Sequence, residues 1–254
     1  MHKSDKYPDF AARFYDITYA KVLTGADCGY YLKKISQTKG QVLEVGVGTG
    51  RIFLDALKMG ADIHGIDLSP KMIDILKAKL DKKDHHRVKV QDVRDLDVGK
   101  RFALIIAPFR VFSHLLTVED QLKSLNKIYN HLNPGGRFIF DVFVPNLKYL
   151  VEGLGDTPDF DSEYEEGKRL TRFSSAEPDL MNQTLHVTMQ FIWEEDDRII
   201  KKKWRFPLRY FFRYELEHLI HRSKLELVGI YGNFLENEPD DNSKDFIVVC
   251  KRAL

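Results

Sequence analysis

Residues 42–92 hold the turn and the side chains that are best suited to chemistry in this sequence. The run VLEVGVGTGRI (42–52) places Gly46, Gly48 and Gly50 between a compact apolar run and a helical pattern. Glycine permits positive φ and close approach of a ligand, and the amides at the start of a helix can bind polar or anionic groups. The turn therefore predicts a binding site for a nucleotide-containing cofactor.

The spacing of the glycines excludes two common phosphate-binding turns. The dinucleotide fingerprint G-x-G-x-x-G/A requires its last residue at position 51 or 53, which are Arg51 and Phe53 here. The GK[ST] ending of a P-loop is absent as well. The pattern that remains is E-x-G-x-G-x-G, with Glu44 inside the first predicted strand.

Two further acids occur where the next two strands are predicted to end. Asp67 could accept hydrogen bonds from both hydroxyls of a ribose, and Asp92 could accept one from an adenine amino group. The carboxyl ends of parallel strands form the edge at which open α/β sheets bind ligands. Either acid alone could merely cap a turn or precede a helix, but the three acids in this order favour a ligand site.

The elements that must position these residues alternate between short β-branched runs and helical patterns. Strands are predicted over 41–46, 61–68, 87–93, 102–109 and 137–144, and helices over 49–60, 69–80 and 118–132. Ser69 is placed as an N-cap with Pro70 at the first helical position, and Gly60 is placed as a C-terminal cap. This alternation indicates a parallel sheet with helices on both faces, an α/β sandwich.

The pattern changes to period two after residue 150. LHVTMQFIW (185–193) and IIKKKWRF (199–206) flank a turn signal, and RLTRFS (169–174) is a third strand. Residues 151–208 are therefore predicted to form an inserted antiparallel sheet. A helix over 213–223 and strands over 225–232 and 245–252 return to the main fold.

As a set, these motifs resemble the class I S-adenosylmethionine-dependent methyltransferases. Four segments carry the resemblance: VLEVGVGTG (42–50), GIDLSP (65–70), VQDVRDL (90–96) and LNPGGRFIFDV (132–142). It implies a Rossmann-like three-layer sandwich with a seven-stranded, mostly parallel sheet whose last strand is antiparallel. Residues 1–150 and 209–254 would form this cofactor-binding domain.

The resemblance extends to small-molecule members similar to glycine and sugar-amine N-methyltransferases. It implies that the insert, 151–208, covers the substrate pocket and that residues 1–25 form an N-terminal lid segment. Within that segment FAARFYDITYAKVL (10–23) would be helical, with Tyr15 and Tyr19 four residues apart on one face.

The resemblance implies S-adenosyl-L-methionine as the cofactor and assigns residues to its parts. The glycine turn would hold the methionine part, Asp67 the ribose, and Asp92 with the Val93 amide the adenine edge. Leu68 would pack on the adenine, and the residues after the fourth strand would lie near the sulfonium. The cofactor residues are Tyr15, Glu44, Gly46, Gly48, Gly50, Arg51, Asp67, Leu68, Met72, Asp92, Val93, Ala107, Pro108 and Phe109.

Methyl transfer from a sulfonium needs alignment and exclusion of water, and it needs a base only when the acceptor must first lose a proton. His114 is the candidate base, with packing or capping at a helix start as the alternative. Arg110 or Arg209 could bind a carboxylate or could be surface charges. The substrate-side residues are Tyr19, Arg110, His114, Tyr149, Arg209 and Tyr210.

A helical spacing that a metal could use occurs at Glu215, His218 and His221, but we expect a polar helix face and no metal.

The composition favours a small-molecule acceptor. Lys and Arg number 39 and Asp and Glu 38, so the formal net charge is only +1, which disfavours a nucleic-acid binder. The two cysteines suit neither a disulfide scaffold nor a metal motif. No apolar run is long enough to span a membrane, and the first ten residues lack a signal-peptide pattern. We expect a cytoplasmic protein without membrane or nucleic-acid partners, as a monomer or homodimer.

Two alternatives remain open from the sequence. One keeps the cofactor and changes the acceptor to RNA or protein, although APFR (107–110) lacks the Asn-Pro-Pro-Tyr-like motif of enzymes that methylate amides or adenine. The other is a non-catalytic protein of the same fold that binds S-adenosylmethionine or a nucleoside.

Overall fold

A computed structural model describes residues 7–22 and 25–253 of the chain. In chain order the helices are α1 (Asp9–Arg13), α2 (Tyr15–Val22), α3 (Ala26–Ser36), α4 (Phe53–Lys58), α5 (Pro70–Lys79), α6 (Val118–His131), α7 (Leu147–Glu152) and α8 (Arg213–His221). The strands are β1 (Val42–Val45), β2 (Ile63–Asp67), β3 (Val88–Val90), β4 (Phe102–Ala107), β5 (Leu132–Phe143), β6 (Leu154–Glu165), β7 (Lys168–Asp179), β8 (Thr184–Glu195), β9 (Arg198–Arg209), β10 (Glu226–Tyr231) and β11 (Asp245–Lys251).

The chain divides into two compact units. The larger unit is Gly25–Val144 with Tyr210–Leu254, and the smaller unit is Met1–Thr24 with Pro145–Arg209, each described over the residues given above. Each unit contains one sheet. No helix in 7–22 or 25–253 is long and apolar enough to cross a membrane.

The sheet of the larger unit confirms the predicted fold. Its order is β10-β11-β5-β4-β1-β2-β3. Strands β1 to β5 pair in parallel, whereas β11 is antiparallel to both β5 and β10. Strand β4 is apolar because both of its faces are covered: Ile105 enters one buried cluster with Leu43, and Leu104 enters another with Val42.

Local sequence signals explain where several helices begin. The Ser69 hydroxyl accepts a hydrogen bond from the Met72 amide at 3.3 Å, so the predicted N-cap of α5 is present. Thr117 caps α6 in the same way through the Asp120 amide, at 3.1 Å. Helix α4 is shorter than the predicted 49–60 because the glycine turn and the residues after it extend to Ile52.

The smaller unit contains the predicted antiparallel sheet and one strand more. Its order is β6-β7-β8-β9, with antiparallel pairing throughout. Strand β6 escaped the sequence analysis because it lies at the edge of the sheet, and Phe160 is its one buried side chain among the described residues. Edge strands commonly carry charged and polar side chains that discourage pairing with other chains.

The N-terminal helices group with this sheet, whereas the sequence analysis grouped them with the main domain. The predicted helix over 10–23 is two helices that meet at Phe14, and its residue 23 lies outside the described residues. Phe10 and Phe14 lie against Phe191 and Trp193, with ring centroids 5.4 Å (Phe10–Phe191) and 5.2 Å (Phe14–Trp193) apart. The apolar face of β8, whose side chains alternate with period two, is thus covered by the rings of Phe10 in α1 and Phe14 just after it.

We predict that Phe191→Ala destabilises the chain because its ring is buried between Phe10 and Phe14. The free energy of unfolding should fall by about 3–5 kcal/mol, as for other buried Phe to Ala changes. Chemical denaturation measures this loss. The neighbouring Gln190→Ala is the control, because Gln190 lies on the other face of β8 and should cost roughly 1 kcal/mol or less. Equal losses in the two variants would contradict this account of the packing.

Candidate cofactor site

The turn after β1 contains two glycines with different surroundings: Gly46 is tightly packed, and Gly48 has open space around it. Gly46 and Gly48 have φ of 71° and 55°. A Cβ on Gly46 would lie 2.3 Å from Val111 Cγ2, whereas a Cβ on Gly48 would meet no described atom closer than Gly46 O at 4.0 Å. Gly46 therefore allows close packing, and Gly48 leaves the backbone accessible to a ligand.

Asp67 ties this turn to the start of α5. Its Oδ2 accepts a hydrogen bond from the Gly48 amide at 2.9 Å, and its Oδ1 accepts one from the Ser69 amide at 2.8 Å. Burial raises the pKa of Asp67, while these two backbone donors act in the opposite direction. Because a carboxylate has about four lone-pair sites, acceptor capacity remains for the hydroxyls of a ligand.

Glu44 is the buried acid of the site. Its side chain is 3% exposed, and its Oε2 has no hydrogen-bond partner among the described residues. Burial raises its pKa from 4.5 to about 8, opposed by the charge of Arg51 and reinforced by Asp67. An unsatisfied buried oxygen is costly, and a water molecule or a polar group of a bound ligand could satisfy it.

Arg51 is held by α3 and by the turn after β4. Its guanidinium donates to Asp27 Oδ2 at 2.5 Å and to Cys28 Sγ at 2.7 Å. The same group lies over the ring of Phe109, 5.2 Å from the centroid. Arg51, predicted from the sequence as a cofactor residue, thus connects three elements of the larger unit.

Asp92 is engaged by a neighbour that the sequence analysis did not assign to the site. The Arg94 amide donates to Asp92 Oδ1 at 2.9 Å, and Arg94 Nη2 donates to Oδ2 at 2.6 Å. Burial would raise the pKa of Asp92, but the hydrogen bonds and charge of Arg94 hold it below its usual range. Asp92 is therefore a carboxylate near neutral pH, and any adenine contact must share its oxygens with Arg94.

The remaining cofactor-side residues of the larger unit lie next to these groups in the chain. Leu68 is half-buried between Asp67 and Ser69, and Met72 is buried with its amide used in the cap of α5. Val93 begins a 3₁₀ helix that follows Asp92. Ala107 and Pro108 are buried where β4 ends.

The turn after β4 depends on a buried acid that the sequence analysis missed. Phe109 and Arg110 both have positive φ, 59° and 63°. Their amides donate to Asp141 Oδ1 at 2.8 Å and Oδ2 at 2.9 Å, and the Tyr31 hydroxyl donates to Oδ1 at 2.7 Å. Burial raises the pKa of Asp141 to about 6, opposed by these three donors. The available signal was one acid inside the apolar run RFIFDVF (137–143).

The predicted substrate-side residues are divided between the two units. In the larger unit the Arg110 guanidinium pairs with Asp245 at 3.1 Å, and Tyr210 is buried. His114 is exposed at the end of a 3₁₀ helix over Val111–His114. Among the described residues, no group of three metal-binding side chains is placed to hold an ion.

The other predicted residues lie in the smaller unit. Tyr15 and Tyr19 are four residues apart in α2, with ring centroids 4.5 Å apart. Tyr149 is 43% exposed on α7. Arg209 donates to the Asn182 carbonyl at 2.5 Å and to Gln183 Oε1 at 2.9 Å.

We predict that Glu44→Gln changes how stability depends on pH. Because the folded chain holds the Glu44 proton more tightly than the unfolded chain, the free energy of unfolding falls as pH rises from about 4.5 to about 8. This one group contributes at most about 1.4 kcal/mol per pH unit. Glutamine removes that contribution, so the variant should become progressively more stable than the parent chain across this window, measured by denaturation at each pH.

The matched control is Glu226→Gln, because Glu226 is an exposed strand residue paired with Lys251 at 3.1 Å. Because that variant removes one exposed ion pair, its free energy of unfolding should stay within about 1 kcal/mol of that of the parent chain. Parallel stability curves for the Glu44→Gln variant and the parent chain would contradict the buried, proton-holding state of Glu44.

Comparison with known proteins agrees with this geometry. Residues 42–136 match the family model of the methyltransferase domain. A glycine/sarcosine N-methyltransferase of Aphanothece halophytica is 26% identical over 227 residues, which cover 88% of this chain and 80% of that protein.

Solved structures share the fold across nearly the whole chain. The CcbJ methyltransferase of Streptomyces caelestis is 24% identical with a TM-score of 0.74, over 99% of this chain and 98% of that one. The sugar N-methyltransferase KedS8 of a Streptoalloteichus species is 16% identical with a TM-score of 0.75, over 94% and 93%. The resemblance found in the sequence motifs is thereby confirmed: residues 42–136 are a methyltransferase domain, and nearly the whole chain shares the fold of solved methyltransferases.

Proposed function

We propose that the chain transfers a methyl group from S-adenosylmethionine to a small-molecule acceptor, with an amine as the favoured acceptor class. The observations that carry the cofactor part are the buried Oε2 of Glu44, which has no hydrogen-bond partner among the described residues, and the open space at Gly48. The amine is supported by the similarity to proteins named as glycine/sarcosine and sugar N-methyltransferases. The formal net charge of +1 supports a small acceptor over a nucleic acid.

The groups of the larger unit suit the parts of this cofactor. Glu44 and the glycine turn would hold the methionine part, whose ammonium supplies the donor that Glu44 lacks. Asp67, already oriented by two amides, would accept the ribose hydroxyls. Asp92 and the Val93 amide would contact the adenine edge, with Leu68 and Met72 packing beside it.

The cofactor supplies a methyl group already activated on a sulfonium. The protein has to fix the angle between donor and acceptor and to exclude water, which are positioning tasks. The ring of Phe109 offers a polarisable face to positive charge. A neutral amine would attack the methyl carbon with its lone pair, forming a nitrogen–carbon bond as the carbon–sulfur bond breaks, and the methylated ammonium would release its proton to solvent.

Several finer assignments stay predictions. These are a base role for His114, acceptor contacts by Tyr19, Arg110, Tyr149, Arg209 and Tyr210, and a cofactor contact by Tyr15. Arg110 already pairs with Asp245, so binding a substrate carboxylate would require it to exchange partners. The oligomeric state, the absence of nucleic-acid partners and a cytoplasmic location also stay predictions.

We predict that S-adenosylmethionine binding releases a proton through Glu44. Near pH 7 the carboxyl is mostly protonated because its pKa is about 8, and a bound cation favours the carboxylate. Calorimetry in buffers of different ionisation enthalpy should show release approaching one proton per site. Glu44→Gln should abolish the release, and both Glu44→Gln and Asp67→Asn should weaken binding by roughly tenfold or more.

The control is Asp62→Asn, because Asp62 is exposed just before β2 and pairs with Arg87 at 2.7 Å. It should bind like the parent chain. Buffer-independent binding enthalpy in the parent chain would contradict the role of Glu44, and absence of binding would contradict the proposed function.

The acceptor class is tested with methyl-labelled cofactor and separate pools of amines, carboxylic acids, hydroxylated metabolites, transfer RNA and unfolded proteins. We expect label in the amine pool, and roughly tenfold less label with the Asp67→Asn variant when the cofactor is kept below its dissociation constant. Label in RNA or protein alone would favour the macromolecular alternative. Cofactor binding without transfer to any pool would favour the non-catalytic alternative.

A further inference from the structure

Helix α3 carries two polar side chains on one face that reach two different parts of the cofactor site. Asp27 and Tyr31 are four residues apart, so they are neighbours on the helix surface. Asp27 binds the Arg51 guanidinium, and the Tyr31 hydroxyl donates to Asp141. Both side chains are buried, Tyr31 completely.

The partners of both side chains, Arg51 and Asp141, contact Phe109. Arg51 lies over the ring of Phe109 at 5.2 Å, and Asp141 accepts from the Phe109 amide at 2.8 Å. The contacts therefore form a closed circuit that runs from α3 through Arg51 to Phe109, and back through Asp141 and Tyr31. This circuit joins the glycine turn to the turn after β4.

The backbone at Phe109 needs such support. Phe109 and Arg110 both adopt positive φ, which non-glycine residues avoid unless their surroundings enforce it. Asp141 supplies the enforcement, since its two oxygens accept from both amides. A carboxyl that is 2% exposed in a strand of apolar residues is costly to the fold by itself. Its three hydrogen bonds nevertheless hold a strained turn at the predicted position of the sulfonium.

We infer that Tyr31 and Asp141 are positioning residues for methyl transfer: they fix the Phe109–Arg110 turn so that the Phe109 ring is set for the charged sulfur of the cofactor. The inference rests on the proposed function. Tyr31 acts through Asp141, and neither residue is assigned to contact the reacting atoms.

Tyr31→Phe tests the inference, because it removes one hydroxyl and keeps the ring. Tyr30→Phe is a matched control on the same helix, since the Tyr30 hydroxyl also donates to a carboxylate, Glu236, at 2.8 Å. Each variant loses one hydrogen bond of the same kind. Of these two hydroxyls, that of Tyr31 donates to the acid that holds the turn after β4, and that of Tyr30 does not.

The measurement compares the dissociation constants of S-adenosylmethionine and of its demethylated product, which lacks the transferred methyl group and the charge on sulfur. General loosening of the site would weaken both ligands equally. The Phe109 ring already has the Arg51 guanidinium over it, and of the two ligands only S-adenosylmethionine would add a second cation–π contact, which a displaced ring would lose. We expect Tyr31→Phe to weaken S-adenosylmethionine relative to the product by about threefold to fivefold. Phe109→Leu should shift that ratio in the same direction.

Amide hydrogen exchange provides a second readout that does not depend on any ligand. Tyr31→Phe should speed exchange in a peptide that spans 107–112, and Tyr30→Phe should leave that peptide unchanged. An unchanged ratio in Tyr31→Phe, or equal effects of the two variants on ratio and exchange, would overturn the inference. A parent chain that binds neither ligand would overturn the proposed function and this inference with it, so the parent titration tells the two failures apart.

Discussion

The two hydrogen bonds from backbone amides to the Asp67 carboxylate are the constraint on which the cofactor site depends. They join the glycine turn after β1 to the beginning of α5, so the ends of β1 and β2 cannot move independently. The Ser69 cap adds a third bond at the same place, from the Met72 amide. Glu44 precedes Val45 in β1, and it is buried at the edge of the sheet where these bonds form. Asp67, which the resemblance assigns to the ribose, thus also holds two segments of the site together.

Much of the larger unit could be predicted from the sequence because its signals are local. The N-cap at Ser69, the helix over Val118–His131 and the fully apolar strand β4 each follow from residues close together in the chain. The glycine turn is equally local, since its positive φ values require particular residues at particular positions. The parallel order of the strands followed from the alternation of elements and from the resemblance.

What escaped the sequence analysis leaves no trace in the local hydrophobic pattern. Asp141 is an isolated polar residue in β5 until Tyr31, more than a hundred positions earlier, donates to it. Arg94 binds Asp92 from two residues away, but that contact requires the 3₁₀ turn at Val93–Asp95. Strand β6 is mostly exposed, with five acidic residues among its twelve, so it lacks the alternation that identified β8. Period-two alternation identifies a strand with one buried face, but it does not identify an edge strand that is mostly exposed.

The unpaired oxygen of Glu44 has a consequence for how long the protein survives. Oε2 of Glu44 is buried without a hydrogen-bond partner among the described residues, which costs free energy. A ligand that bonded this oxygen would remove that cost. A ligand that binds only the folded chain lowers the population of unfolded molecules by mass action. Proteases that attack opened molecules would therefore degrade the chain faster when the ligand is scarce. The same carboxyl would make the cellular level of this protein follow the supply of its ligand.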